Sequence, residues 1–310
     1  MSESIEKRSF IKSKTLKIKE KAKEISLPGF DKVPIYNVIT FFISGAKNGY
    51  LATRASAIAF NFALAIFPTM LFLFTLIPFI PVKNLQLELL HLIQEFLPQN
   101  AFQYFESTLV SVVTVKKIGV FSFGAFASLI FSTNAVHALI QAFNNTYHTI
   151  DTRKWTAIRA VSTFLVFMIF VLISASVILL TFGQFVLTKL VEFNIIQTDL
   201  IYYLISAAKW LVVIALFFFS ISFLYYFAPA KKDQWKFISA GSSVATILAL
   251  LTSLGFSYFV NNFGQYNKLY GSIGTIMVVL LWLYFNSFAL ILGFELNASI
   301  NNAQLENSEQ

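Results

Sequence analysis

Six long runs of apolar residues dominate the chain and predict helices that cross a membrane. Most of each run is uncharged. A helix needs about 20 residues to cross the hydrocarbon of a bilayer, and each run is at least that long. The predicted spans cover residues 55–80, 118–143, 159–188, 200–227, 237–260 and 270–294. We therefore predict an all-α, multi-pass membrane protein built on a bundle of six transmembrane helices.

Shorter segments are predicted to border this membrane domain of residues 35–300. Residues 1–34 are rich in lysine and form a basic tail, and residues 301–310 form a short tail at the other end. The stretch that follows the basic tail, up to Arg54, is too short and too interrupted to span, which favours a helix at the membrane interface. In residues 83–117, apolar positions recur at helical spacing among charges, which predicts amphipathic helices outside the bilayer. They would either cap the bundle or lie on the lipid surface.

The charges of the loops predict an orientation. The N-terminal region and the loops at 144–158 and 228–236 are basic, whereas the alternate loops are neutral or acidic. Because basic loops stay on the cytoplasmic side, both termini are expected in the cytoplasm. The first forty residues lack the short apolar core of a secretory signal, so the first span is expected to direct insertion.

The composition limits the class of protein and the cofactors that it could bind. The chain is 57% hydrophobic and 12% charged, which lies outside the range of soluble globular proteins. It has no cysteine and three scattered histidines, so we expect no disulfide, no cofactor and no catalytic metal. The net charge of +8 lies beside hydrophobic spans, which indicates contact with anionic membrane lipids on the cytoplasmic side rather than with nucleic acid.

Polar residues inside the spans are the candidate functional positions. Such residues are costly in lipid, so they either line a path for a substrate or proton or join helices by hydrogen bonds. The candidates are Asn61 in the first span, Asn134, His137 and Gln141 in the second, and Asn286 in the last. Both interpretations, a polar path and a packing surface, remain open from the sequence.

Two further features of the spans predict local structure. Pro68 lies near the middle of the first span and predicts a kink, because proline removes a backbone donor and clashes with the preceding turn. Glu295 ends a long uncharged run at the same membrane boundary as Arg54. A carboxylate partly removed from water is expected to be paired, so we predict an ion pair between Glu295 and Arg54 or a lysine of the basic loops.

The residues argue against an enzyme and leave two other classes of function. The chain contains no P-loop, no HExxH and no GxSxG, and its acidic residues are scattered. The proline-broken first helix and the polar positions favour transport or translocation of a small solute or a lipid-like molecule. The alternative is a non-catalytic scaffold for envelope assembly or maintenance, which would use the same residues for packing.

Four separated segments resemble, in order, a known family of bacterial inner-membrane proteins. They read ASAIAFNFALAIFP, ALIQAFNNTYHTIDTRKW, YYFAPAKKDQWKFISAG and LYGSIGTIMVVLLWLYFNSFALILGFELNA. Over residues 35–300 the chain resembles the YihY/virulence factor BrkB family, which has also carried the label ribonuclease BN. The resemblance implies six spans in the cytoplasmic membrane of a bacterium and implies little about chemistry or a transported substrate.

Overall fold

The structure is a computed structural model of the 310-residue chain. It describes residues 33–48, 50–76, 118–144, 153–193, 199–230, 236–262 and 264–309, together with residues 26 and 78. All regular elements of this part are helices: α1 (Ile35–Asn48), α2 (Leu51–Leu76), α3 (Ile118–Asn144), α4 (Trp155–Glu192), α5 (Asp199–Phe227), α6 (Ala240–Asn262) and α7 (Gly264–Glu309). The prediction of an all-α fold is confirmed.

Six of these helices, α2 to α7, are long and apolar enough to cross a membrane. The protein is therefore a multi-pass membrane protein, as the sequence predicts. Helix α2 ends at Leu76, two residues before Pro78, because a residue that precedes proline disfavours the helical conformation. Helix α7 continues from the membrane through residues 301–309, which the sequence assigns to a tail. The amphipathic segment at 83–117 and nearly all of the basic tail lie outside the described residues.

Helix α1 is a separate element of 14 residues, too short to cross the bilayer. It is divided from α2 at Tyr50, whose φ of 47° lies in the left-handed region and interrupts the helical path. The apolar side of α1 packs on α7, where Val38 is buried in a cluster with Ile300 and Ala303. The start of the membrane domain is thus attached to its last helix.

The six spanning helices pack in a ring that follows the order of the chain. Each helix from α2 to α6 packs against the next one, and α7 returns to pack against α2. The pairs α2 with α3 and α6 with α7 also touch far along their lengths. Thr69 Oγ1 lies 3.2 Å from Ser128 Oγ, and Trp282 Nε1 donates to Ser253 Oγ at 3.2 Å.

Burial is concentrated at one end of this ring, which we call the closed end. The closed end comprises the first turns of α2, α4 and α6 and the last turns of α3 and α5. It also includes the last turns of the part of α7 that can span the membrane. Its buried side chains include Ile58, Ile140, Phe143, Leu165, Ile221, Tyr225, Ala245, Ile291 and Phe294. In lipid, the hydrophobic effect does not drive helices together, because acyl chains are as apolar as the side chains. The helices associate through close packing of this kind instead.

The other half of the ring is more loosely packed, and we call it the open half. Among the described residues, α4 has no buried side chain after Leu165, α5 has none before Ser220, and α6 has none after Ala249. Large apolar side chains are exposed there, such as Phe170 and Leu254. The described side chains of α4, α5 and α6 are therefore more exposed in the open half than at the closed end.

Candidate functional site: the polar closed end of the bundle

A charged pair lies in the closed end between the first and last spans. Arg54 of α2 and Glu295 of α7 both belong to stretches that can cross the membrane. The distance from Arg54 Nη1 to Glu295 Oε2 is 3.6 Å, and the Glu295 side chain has no exposed surface. Of the partners that the sequence allows for Glu295, the structure places Arg54 beside it. The pair joins α7 to α2 and so completes the ring.

Helix α1 covers the carboxylate from another side. Gly45 lies so close to Glu295 that a Cβ atom at position 45 would stand 2.9 Å from the Glu295 Cδ and would overlap Oε1. Only glycine leaves room for the carboxylate at this crossing. The Glu295 carboxylate is thus enclosed by the backbone of α1 and the guanidinium of α2.

Helices α6 and α7 cross through two glycines beside a polar contact. The Asn297 Oδ1 accepts a hydrogen bond from the Gly241 backbone N–H at 2.8 Å, and its Nδ2 donates to Ser239 Oγ at 2.8 Å. Gly293 lies one turn before Asn297 on the same helix face. This arrangement satisfies a free N–H at the start of α6, which has no partner inside its own helix.

The segment that follows α5 is bonded to the last residue of α3 and to a residue just before α4. Asn144, the last residue of α3, donates from Nδ2 to the Ala228 carbonyl at 2.9 Å and accepts from the Ala230 N–H at 2.9 Å. Arg153 Nη2 donates to the same Ala228 carbonyl at 2.7 Å. These bonds satisfy the backbone of a buried turn, which would otherwise be costly.

Three aromatic rings from different helices fill the space beside these polar contacts. Phe143 of α3 stacks on Phe294 of α7 with ring centroids 4.3 Å apart. Tyr225 of α5 meets both rings edge to face, at 5.4 and 5.7 Å, and its hydroxyl donates to the Leu290 carbonyl at 2.5 Å. The cluster joins α3, α5 and α7 across the ring.

The predicted polar positions fall into two groups. Asn61 and Asn286 each donate from Nδ2 to a carbonyl oxygen one turn earlier in their own helix, at 2.9 Å. Asn134 instead contacts a neighbouring helix, because its Oδ1 accepts a hydrogen bond from Arg159 Nη1 at 2.5 Å. One and two turns further along α3, His137 is half-buried and Gln141 is exposed. The roles of these polar residues in a path remain predictions. At Pro68, where the sequence predicts a kink, α2 continues as a helix.

Several contacts of the closed end could not be assigned from the sequence. Asn144, Arg153 and Arg159 lie at or near a basic loop, where charge alone predicts orientation but not a bonding partner. The four-residue spacing of Gly293 and Asn297 places both on one small and polar helix face, which predicts a packing surface but not its partner on α6. Within the described ranges, no group of three or more histidine, aspartate or glutamate side chains is arranged to bind a metal ion.

Known proteins provide an independent comparison. No solved structure matches this chain. The chain is 29% identical to YfkH of Bacillus subtilis, named as a ribonuclease-like protein, over 80% of this chain and 90% of that protein. It is 23% identical to a UPF0761 membrane protein of Tolumonas auensis, over 86% of this chain and 85% of the relative. A UPF0761 membrane protein of Coxiella burnetii is 27% identical, over 78% and 85% respectively.

The family comparison covers most of the membrane domain. The model of the virulence factor BrkB family matches residues 42–310, which include α2 to α7 and the closed end. This agrees with the resemblance carried by the four sequence segments. The chain belongs to the virulence factor BrkB family.

Proposed function

We propose that this membrane protein transports or translocates a lipid-like molecule, and that the open half of the bundle holds it. The observation that carries the proposal is the contrast in packing between the two ends of the ring. At the closed end, charged and polar groups bond to one another across five helices. In the open half, the side chains that the structure describes on α4 after Leu165, on α5 before Ser220 and on α6 after Ala249 are all exposed or partly exposed.

The chemistry of the open half favours an apolar or amphiphilic substrate. Residues 166–179, 203–219 and 250–259 contain one charged side chain, Lys209. An ion or a charged solute at membrane depth requires opposite charges or many polar partners, because its water must be replaced. A lipid-like molecule requires few of either, since its acyl chains can contact the exposed apolar side chains.

The orientation is part of the proposal. Three basic residues outside the spans, Lys47, Lys154 and Lys236, lie at the closed end. The positive-inside rule then favours a closed end on the cytoplasmic side of a bacterial inner membrane, with both termini in the cytoplasm. A tag added after Gln310 should resist protease in intact spheroplasts and be cut after lysis. Cleavage before lysis would contradict this orientation.

Reconstitution tests the transport activity directly. Purified protein is placed in liposomes that contain a fluorescent phospholipid, and a membrane-impermeant quencher reports how much of the label reaches the outer leaflet. We expect the rate of label exposure to rise with the protein-to-lipid ratio, above that of empty vesicles. A water-soluble dye trapped in the same vesicles controls for leakage. Equal rates with and without protein would exclude translocation of that lipid and favour the scaffold alternative.

A tryptophan scan over residues 251–258 of α6 provides a matched control within the chain. If the open half holds the substrate, tryptophan should slow translocation at positions on one face of the helix. Positions on the opposite face, which contact bulk lipid, should retain the wild-type rate, so that the effect repeats about every 3.6 residues. An effect that is uniform around the helix would argue against a substrate in the open half.

We further propose that the protein is not an enzyme. The name of YfkH provides the competing function, a ribonuclease-like activity, and hydrolysis of a phosphodiester requires a positioned acid and base or bound divalent metals. RNA incubated with the purified protein should remain intact over hours, with or without Mg²⁺. Cleavage that follows the protein through successive purification steps would overturn this part of the proposal.

A further inference from the structure

Arg159 is a cation inside the membrane-spanning part of α4. It lies four residues after Trp155, the first residue of α4, and therefore about 6 Å along the helix axis. The side chain is half-buried, and its Nη1 donates to the Asn134 Oδ1 of α3 at 2.5 Å. An amide oxygen is neutral. The bond thus orients the guanidinium without balancing its charge.

The segment that leads to Arg159 is basic, with Arg153 and Lys154 against one acidic residue, Asp151. Arg153 and Lys154 directly precede α4, and the first turn of α4 contains no acidic residue. The N-terminus of a helix itself carries a positive partial charge, so these cations lie at its unfavourable end. Over the ranges that the structure describes, no carboxylate lies within 4.0 Å of Arg159. A cation at this depth is costly without a counter-charge.

We infer that Arg159 forms the centre of a binding site for a phosphate-type anion, at the contact of α3 and α4 in the closed end. A guanidinium has five N–H donors in a planar fork that fits two phosphate oxygens at once, and Asn134 uses one of them. The exposed Lys154 adds positive charge at the start of α4, five residues before Arg159, and the exposed Gln141 lies on the same face of α3 as Asn134, about 10 Å along the helix axis. The site does not depend on the proposed transport activity, because it lies outside the open half.

The anion can come from two sources with the same chemistry, the headgroup of an anionic lipid or free phosphate. Arg159 lies about 6 Å inside the start of α4, and a headgroup or a free anion would reach it from the interface at the contact of α3 and α4. The test therefore uses three probes on the full chain in detergent: phosphatidylglycerol, phosphatidylcholine and inorganic phosphate. The measurement is the rise of the thermal unfolding midpoint as each probe is titrated.

The wild-type protein should be stabilised by phosphatidylglycerol at concentrations at which phosphatidylcholine has no effect. Arg159→Gln should weaken the apparent affinity about tenfold or more, the loss expected for one charge-assisted hydrogen-bonded contact. Lys47→Gln, which removes an exposed cation of the closed end on α1, is the matched control and should change the affinity less than twofold. If inorganic phosphate stabilises the protein in the same Arg159-dependent manner, the ligand is a free anion.

Asn134→Asp provides a second variant that separates anion binding from folding. A carboxylate at position 134 would accept the same hydrogen bond and balance the charge of Arg159, so the protein should fold and lose the response to both anions. Equal responses of the wild type, Arg159→Gln and Asn134→Asp would overturn the inference. So would a wild-type protein that responds to none of the three probes.

Discussion

The backbone carbonyl oxygen of Gly241 on α6 lies 2.5 Å from the position that a Cβ atom on Gly293 of α7 would occupy. The contact is mutual, because a Cβ atom at position 241 would overlap the Gly293 carbonyl oxygen. The Tyr225 hydroxyl lies 2.7 Å from the same Gly293 position. Two helix backbones therefore touch here, and any side chain would have to separate them.

Replacing either glycine of this contact by alanine should destabilise the protein. Gly293→Ala and Gly241→Ala each introduce a methyl group against the backbone carbonyl oxygen of the other glycine, which cannot rotate away as a side chain can. Overpacking of this kind costs about 1–3 kcal/mol. The measurement is the thermal unfolding midpoint of the purified protein in detergent, which should fall in both variants.

Gly255→Ala is the control for this prediction. Gly255 lies on α6 like Gly241, but a Cβ atom there would meet nothing within 4 Å. Alanine favours a helix over glycine by about 1 kcal/mol, so this variant should be as stable as the wild type or more stable. Equal destabilisation at positions 255 and 293 would show that the backbone contact is not the cause.

The close contact between Gly45 and Glu295 predicts that substitutions at the two positions have non-additive effects on stability. Gly45→Ala should lower the unfolding midpoint, because the new methyl group overlaps the buried carboxylate of Glu295. In a Glu295→Ala background the same Gly45→Ala change should cost much less, since the group that it overlaps has been removed. Residues in contact typically couple by about 0.5–3 kcal/mol. Additive effects of the two changes would contradict the enclosure of Glu295 by α1.

The ion pair itself should be revealed by a double-mutant cycle. Glu295→Leu leaves the Arg54 guanidinium buried without the carboxylate, and Arg54→Met leaves the carboxylate without the guanidinium. Loss of one partner of a buried pair costs about 3–5 kcal/mol. The double variant, which removes both charges, should be more stable than either single variant, as judged by the unfolding midpoint. If the losses of the two single variants simply add in the double variant, the two charges do not stabilise each other.

The six helices that can span a membrane could be predicted, because each is a long and mostly uncharged run of apolar residues. The same information placed Arg54 and Glu295 at one boundary and so brought them within reach of each other. It did not extend to α7 beyond residue 300, where a helix continues among polar residues that hydropathy cannot distinguish from a tail.

Contacts between helices were harder to predict, because hydropathy does not say which helices are neighbours or how each is rotated. Asn134 was a candidate from its polarity alone, but its bond to Arg159 depends on the packing of α3 against α4. The contact between Gly241 and Gly293 likewise joins residues 52 positions apart, so no local pattern reveals it. The helices that can span a membrane were therefore predictable from the sequence, whereas the contacts between them required the structure.

Asn144 and Asn286 offer a last test, since each donates to the carbonyl four residues earlier in its own helix. Asn144 also bonds to the backbone of residues 228 and 230, where the partners are buried or partly buried. Asn144→Ala removes both of these bonds, which should cost about 1–3 kcal/mol and lower the unfolding midpoint by several degrees. Asn286→Ala, the matched control, should change stability by less than about 0.5 kcal/mol. Equal midpoints for the two variants would mean that the turn after α5 does not depend on Asn144.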